Sequence, residues 1–570
     1  MRILTLTLAV FTLAPTLPAA LTADQKEFDF RVLAASYAKN YAPYEWKKQL
    51  FGFDLYNISP WIARARATAT DLDYYQVCGE YVASLRDSHS SFSFPTSFRY
   101  SLPLHADYYE DVPRIDAISR LYLPATQFPI QTGDEVVALG GEPVAAVVQR
   151  LSRTVYAAND SALRRTALQR AFGTSEAGNT RAASLPDELE ITIRSRSTGE
   201  LAHYVIPVIK SGTPLASGGT TPSTIYRALR QRPAAAAADG EDSLTEPWLA
   251  PLAALGDDAV PGPEWGEALP DAAEVLGFGT RPGFPLPSGF VQRLGRLSTD
   301  AFFSGAYTAG GKRLGYIRIP TFNPAIGATA ALRQFETEMT FFNGNTDGLI
   351  VDIMRNSGGL SCYNEEIQRR LIPYTFRGIG REIRATYDWV SAFYDTWERA
   401  RNAGAPAEVL SQLEANYREI EAASRQSRGR SGPLPICAST LFRAPHETAY
   451  TKPLLVVADE YSASASDAFA AVIQDSGRGS LFGFRTNGAG GTTAAYGAGP
   501  YSEATASNTI AMHHRVNPVN VPGYPATHYV ENAGVFPNIP YDYMSLSNLL
   551  SGGAQFRDAV TEAILAEIAK

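Results

Sequence analysis

The chain has 570 residues, 45% hydrophobic and 19% charged, which excludes a disordered or membrane-embedded protein and is more than one compact core usually holds. A net charge of −8 at pH 7 supplies no field to draw in nucleic acid. The three cysteines, Cys78, Cys362 and Cys437, are too few for a disulfide scaffold and have no paired zinc spacing, and no His-Glu-x-x-His is present, so neither a metal nor an organic cofactor is expected.

Residues 1–23 read as an export signal: Arg2 is followed by the apolar run Ile3–Leu17 and the small residues Ala19 and Ala20. Pro15 and Pro18 interrupt a run already shorter than the roughly 20 residues of a membrane anchor. A secreted or periplasmic location is expected, with no stable membrane insertion. Residues 24–95 carry helical spacing, as in Phe28, Val32, Leu33 and Tyr37 and again in Tyr74, Val77, Tyr81 and Leu85, and predict a helical N-terminal unit. From 96 to 209 the pattern shortens to strands. There Gly133-Asp134 opens a strand that ends at Gly140-Gly141, and this segment resembles a PDZ domain enlarged by an insert at 150–185.

Residues 210–305, rich in Gly, Pro, Ala and acidic side chains, read as a linker or loosely structured insertion. The unit 306–570 then alternates strand and helix, with strands at Arg313–Pro320, Gly348–Met354 and Pro453–Ala458, which predicts a layered α/β domain. A stretch at about 380–432, rich in Tyr, Trp, Glu and Arg at helical spacing, predicts a helical hairpin over the sheet's rim. Cys362 and Cys437 flank it and could be bridged in an oxidising compartment; three free buried thiols fit the sequence equally well. The fold class is thus α/β multidomain: helical unit, PDZ-like β-rich domain, α/β domain.

Two strand ends carry chemistry-bearing residues, Arg355-Asn356-Ser357-Gly358-Gly359 and Glu460-Tyr461-Ser462-Ala463-Ser464-Ala465-Ser466-Asp467. Ligand crevices of α/β sheets lie beyond such ends, and a glycine pair lets backbone N–H groups face a ligand oxygen. With Gly483-Phe484-Arg485-Thr486-Asn487-Gly488-Ala489-Gly490, they resemble the three ordered motifs of the tail-specific, or C-terminal processing, serine peptidases. That resemblance implies a crotonase-like ββα peptidase domain, Ser464 as nucleophile, and N–H groups of Ala465 and of Gly358 or Gly359 as the oxyanion hole.

Family members with a Ser-Lys dyad carry lysine where this chain has Ala489, and no other lysine lies between Lys452 and Lys570. Serine needs a base. Asp87-Ser88-His89 resembles the Asp-x-His motif of the histidine-using branch, which includes the tricorn core protease and the chlamydial protease-like activity factor. It implies His89 as general base, with His513 and His514 as the alternatives to test. Glu531-Asn532-Ala533-Gly534-Val535 resembles the branch's closing motif and implies Glu531 as the supporting carboxylate, acting on His89 directly or through Ser88. The activity implied is endopeptidase cleavage of a polypeptide substrate through an acyl-enzyme. A non-catalytic peptide- or ligand-binding protein on the same scaffold is the alternative, and an esterase would carry a Gly-x-Ser-x-Gly elbow that is missing around Ser464. The sequence leaves a homo-oligomer open.

Overall fold

The computed structural model describes residues 20–215, 244–253, 255, 258–259 and 281–570. Most of the expected export signal and the middle of the 210–305 segment lie outside the described residues. No described helix is long and apolar enough to cross a membrane.

Four helices open the described chain: Ala23–Asn40, Tyr44–Phe51, Ser59–Arg66 and Asp71–Ala83. Thr22 caps the first by accepting the Gln25 N–H while the Gln25 side chain accepts the Thr22 N–H, so two donors left over at the helix start are satisfied reciprocally. Thr70 and Asp73 do the same for the fourth. Phe30, Leu33, Tyr37, Tyr74, Tyr81 and Leu85 form a buried, aromatic-rich core. That core does not close on itself: Ala498, Ala504 and Ala506 of the C-terminal domain complete it. The Tyr37 and Tyr75 hydroxyls donate to the carbonyls of Ser507 and Ser502, and strand Ser91–Ser93 pairs antiparallel with strand Thr505–Val519. His89 lies on the loop between the fourth helix and this strand.

The next unit is a sheet of Leu104–Tyr109, Val112–Ile118, Glu135–Leu139, Glu188–Arg194 and Leu201–Pro207. Helices Val144–Ser152 and Asp160–Phe172 bury Val147, Leu151, Leu168 and Phe172 against it. The turns around Glu135–Leu139 have φ of 89° at Gly133, 59° at Gly140 and 75° at Gly141, a region glycine enters without steric cost. The insert at 150–185 reaches the C-terminal domain: buried Arg165 pairs with Asp107 and with Glu460.

In the C-terminal domain, Lys312–Arg318, Gly348–Asp352, Leu454–Ala458, Ser480–Gly483 and Ile539–Pro540 run parallel. Phe303–Ala309 and Val291–Leu294 extend one edge antiparallel. Every residue of Gly348–Asp352 and of Leu454–Ala458 is buried, as a parallel sheet covered on both faces requires. The helical hairpin is Tyr387–Asn402 and Ala407–Arg425. The ends of the 380–432 segment differ from the helical reading, because Gly380–Arg384 and Arg430–Leu434 pair as strands, and the former also joins Thr505–Val519. Cys362 and Cys437 are bridged, while Cys78 is free and buried. The described parts of 210–305 are likewise built into their neighbours instead of spanning between them. Leu249 and Leu252 pack with Trp389 and Phe393 of the hairpin, because apolar side chains in an otherwise polar segment gain by burial. Asp258–Ala259 pairs antiparallel with Gly358–Gly359.

Candidate active site

Strand Leu454–Ala458 runs into a turn that ends at helix Ala465–Asp475. Ser464, the last residue of the turn, is buried at φ 59° and ψ −114°, a conformation costing a side-chain-bearing residue about 1–3 kcal/mol. Asp467 holds it there: Oδ2 accepts the N–H groups of Ser464 at 2.8 Å and Ala489 at 3.0 Å, and Oδ1 accepts the Gly488 N–H at 2.9 Å and the Thr486 hydroxyl. Burial pushes the Asp467 carboxyl up to about 6, with these four donors pulling the other way. The third sequence motif is thus a clamp on the Ser464 turn, and Ala489, at the lysine position of the dyad enzymes, contributes a backbone donor. Ser462 donates to the Ile353 carbonyl and Ser466 to the Asn356 carbonyl, each at 2.8 Å, so both stitch the turn to the glycine-bearing strand end. Ser464 differs from them: its Oγ lies 2.8 Å from Nε2 of His89.

Gly358 and Gly359 have φ of 101° and 140°. A methyl on Gly358 would stand 2.6 Å from Cβ of Ser464 and 3.0 Å from the Ala465 nitrogen, and one on Gly359 would stand 2.3 Å from the Phe322 carbonyl carbon. Both positions need glycine. Their N–H groups are not equivalent, however. The Gly358 N–H donates to Oδ1 of Asn356 at 2.9 Å, and Gly359 is paired with Asp258. The Ala465 N–H opens a helix, where backbone donors lack intrahelical acceptors.

On the opposite side, Asp87 shapes the loop of the histidine. Its Oδ1 accepts the His89 N–H at 2.8 Å, and its Oδ2 accepts the hydroxyls of Tyr41 at 2.9 Å and Thr509 at 2.7 Å. Burial works to raise the Asp87 carboxyl, but Lys47, His89 and the hydroxyl donors hold it below the ordinary range. One carboxylate oxygen each of Asp87 and Glu531 and a ring nitrogen of His89 all lie within 4.8 Å of one another. Glu531 accepts the Gly490 N–H at 2.9 Å on Oε2 and the Lys47 ammonium on Oε1. Burial and the Asp87 charge push the Glu531 carboxyl up to about 8, opposed by Lys47 and the Gly490 N–H.

The sequence-derived residues Ser464, His89, Glu531, Gly358, Gly359 and Ala465 therefore come together. Ser88 does not stand between Glu531 and His89: its hydroxyl donates to Oδ1 of Asn487 at 2.7 Å and accepts the Ala158 N–H at 2.9 Å. The relay through Ser88 is replaced by a tie to the third motif. Of the alternative histidines, His514 stacks on His528 with centroids 4.7 Å apart, and His513 stands opposite Arg381 in the sheet. Sequence reasoning passed over Lys47, Asn356 and the anchoring parts of Asp87 and Asp467. The two aspartates lie inside quoted motifs, whereas Lys47 sits in a helix with no distinguishing signal.

Residues 313–515 match the model of peptidase family S41, and residues 99–210 match a PDZ domain. The chain carries a family S41 peptidase domain. It is a serine peptidase, a hydrolase whose substrates are polypeptides. The S41 match spans all three motifs, while His89 and Glu531 lie outside it. A protein of Chlamydia muridarum is 24% identical, with 79% of each chain covered, and one of Chlamydia trachomatis serovar D is 23% identical, covering 92% of this chain and 90% of that one. The solved structure of mature CPAF superposes with a TM-score of 0.72 at 20% identity, covering 96% of this chain and 98% of that one. CPAF complexed with lactacystin gives 0.73 at 19%, with 96% and 99% covered. The S41 peptidase thus shares the CPAF fold along nearly its whole length.

Proposed function

We propose that Ser464 is the nucleophile, His89 its general base and Glu531 the carboxylate supporting the imidazolium. The observation that carries this is the 2.8 Å contact between Ser464 Oγ and His89 Nε2, within the range for proton transfer between nucleophile and base. His89 takes the hydroxyl proton as Oγ attacks the peptide carbonyl, then returns it to the leaving amine. Water repeats the sequence on the acyl-enzyme. The Ala465 N–H and a Gly358 or Gly359 N–H are the oxyanion donors in this reading, and the two glycines leave the room. A non-catalytic binding role gives no account of a strained serine hydroxyl set against a histidine.

A fluorophosphonate probe tests the assignment, because it labels an activated serine. Labelling should map to Ser464 and vanish in Ser464→Ala and His89→Ala; a His89→Ala protein labelled at the wild-type rate would remove the histidine base.

Export completes the proposal: the apolar start and the Cys362–Cys437 bridge support a secreted or periplasmic protein. Leu21 donates its N–H to Asp71 at 3.0 Å, and Thr22 caps the first helix, which favours cleavage at or before Ala20 over cleavage after Ala23. N-terminal sequencing of the exported protein decides this, and a mature chain beginning at Met1 would refute it.

A further inference from the structure

Lys47 is fully buried on helix Tyr44–Phe51, far in sequence from every motif. Its ammonium has three protons and three acceptors: the Arg86 carbonyl at 2.8 Å, Oδ1 of Asn532 at 2.6 Å and Oε1 of Glu531. Two of these belong to the Glu531–Asn532 turn, and the third precedes the Asp87–His89 loop. Asn532 closes the knot by donating to the carbonyls of Arg86 and Ala158, each at 2.8 Å.

We infer that Lys47 is a positioning residue for catalysis, its ammonium favouring the carboxylate form of Glu531 beside His89 while tying the histidine loop to the Glu531 turn. The inference rests on the reading of Glu531 as the supporting carboxylate. Its physical basis is charge balance. Asp87 and Glu531 place carboxylate oxygens within 4.8 Å of each other in a buried site, and two carboxylates that close share a proton unless a cation intervenes. Lys47 is that cation, and once Glu531 is ionised one net negative charge remains to stabilise an imidazolium on His89. The groups facing Glu531 are Lys47 from its helix, Asp87 and His89 from their loop, the Tyr41 hydroxyl by way of Asp87, and the Gly490 N–H. Lys47 supplies the positive charge opposed to the Asp87 carboxylate.

The test uses the full-length protein and the rate of fluorophosphonate labelling at Ser464, with kcat/KM on labelled casein, from pH 6 to 10. An opposite charge at this distance moves a carboxyl by about 1–3 units. Lys47→Met should therefore shift the rising limb of both rates at least about one unit toward high pH, costing about tenfold per unit at neutral pH and recovering as pH rises. Lys47→Arg, which keeps the charge, should retain more of the wild-type limb. In a Glu531→Gln background, Lys47→Met should cost little more, because the carboxylate it serves is gone. A Lys47→Met loss that is uniform across pH, or losses that multiply in the double variant, would overturn the inference and leave Lys47 a tether. If Lys47→Met does not fold, the double variant, which removes both charges, still gives the comparison with Glu531→Gln. A Glu531→Gln protein with wild-type rate and pH profile would instead remove the underlying reading of Glu531, while Ser464 and His89 would stand on their own labelling result.

Discussion

The turn at 459–467 and the loop at 86–90 meet at one 2.8 Å contact but are held by different means. Around Ser464 the supports are a strained backbone angle and many hydrogen bonds from hydroxyls and backbone N–H groups inside a single domain: Ser462 to Ile353, Ser466 to Asn356, and four donors on Asp467. Around His89 the supports come from distant segments and converge on buried charges, Asp87, Glu531 and Lys47. The Ser464 turn, built from short-range contacts, is set by its own domain's folding. The His89 loop, held by buried ions, depends on the N-terminal helices docking.

The sharpest break of this comparison is at its contact point. Ser464→Ala should lower kcat by about four orders of magnitude or more, as loss of a triad nucleophile does, with the circular dichroism spectrum unchanged. His89→Ala should cost a similar amount, since the members of such a unit act together, and Ala489→Lys should not restore it. Gly358→Ala probes the close approach on the nucleophile side. Its methyl would meet Ser464 Cβ at 2.6 Å in a backbone region at φ 101°, so a loss of about 10²–10³ in kcat, the scale of a damaged oxyanion hole, is expected.

Glu531→Gln addresses the charged side alone and should cost less than His89→Ala. The carboxyl is raised from 4.5 to about 8, so the wild-type rate should climb as pH rises through that value, and the glutamine variant should lack that limb. The sign for stability is opposite: a raised folded-state value favours the native state below about 4.5, and that contribution is lost as pH passes through about 8. The melting temperature of the wild type relative to Glu531→Gln should therefore fall between pH 5 and 9. The smallest effect on turnover should come from Ser88→Ala, less than about tenfold, because that hydroxyl meets Asn487 and Ala158. Its cost should appear as about 1 kcal/mol in denaturant unfolding, the worth of a buried hydrogen bond.

Much of the Ser464 side was legible from the chain because its groups are neighbours. Gly358-Gly359 and Ser464-Ala465-Ser466-Asp467 sit at strand ends whose apolar runs announce a covered parallel sheet, and the glycine pair is required where a methyl would strike Ser464 or Phe322. The opposite side was legible only as short motifs around His89 and Glu531. That Ser88 faces Asn487, and that the Gly358 proton goes to Asn356, depends on which lone pair a side chain turns toward. Residue order carries no such information.

The sequence by itself determined the local grammar: an alternation of strands and helices, glycines at the turns Gly133 and Gly140-Gly141, and a serine run at the start of a helix. These follow from propensity, periodicity and sterics within a few residues. Tertiary structure alone decided that a helical unit near the N-terminus shares its core with Ala498, Ala504 and Ala506, and that strand Ser91–Ser93 docks on Thr505–Val519. It also decided that Lys47, unremarkable on a helix, is buried against Glu531. The reason is physical: burial and charge pairing are properties of the three-dimensional neighbourhood, and here that neighbourhood is assembled from segments more than 400 residues apart.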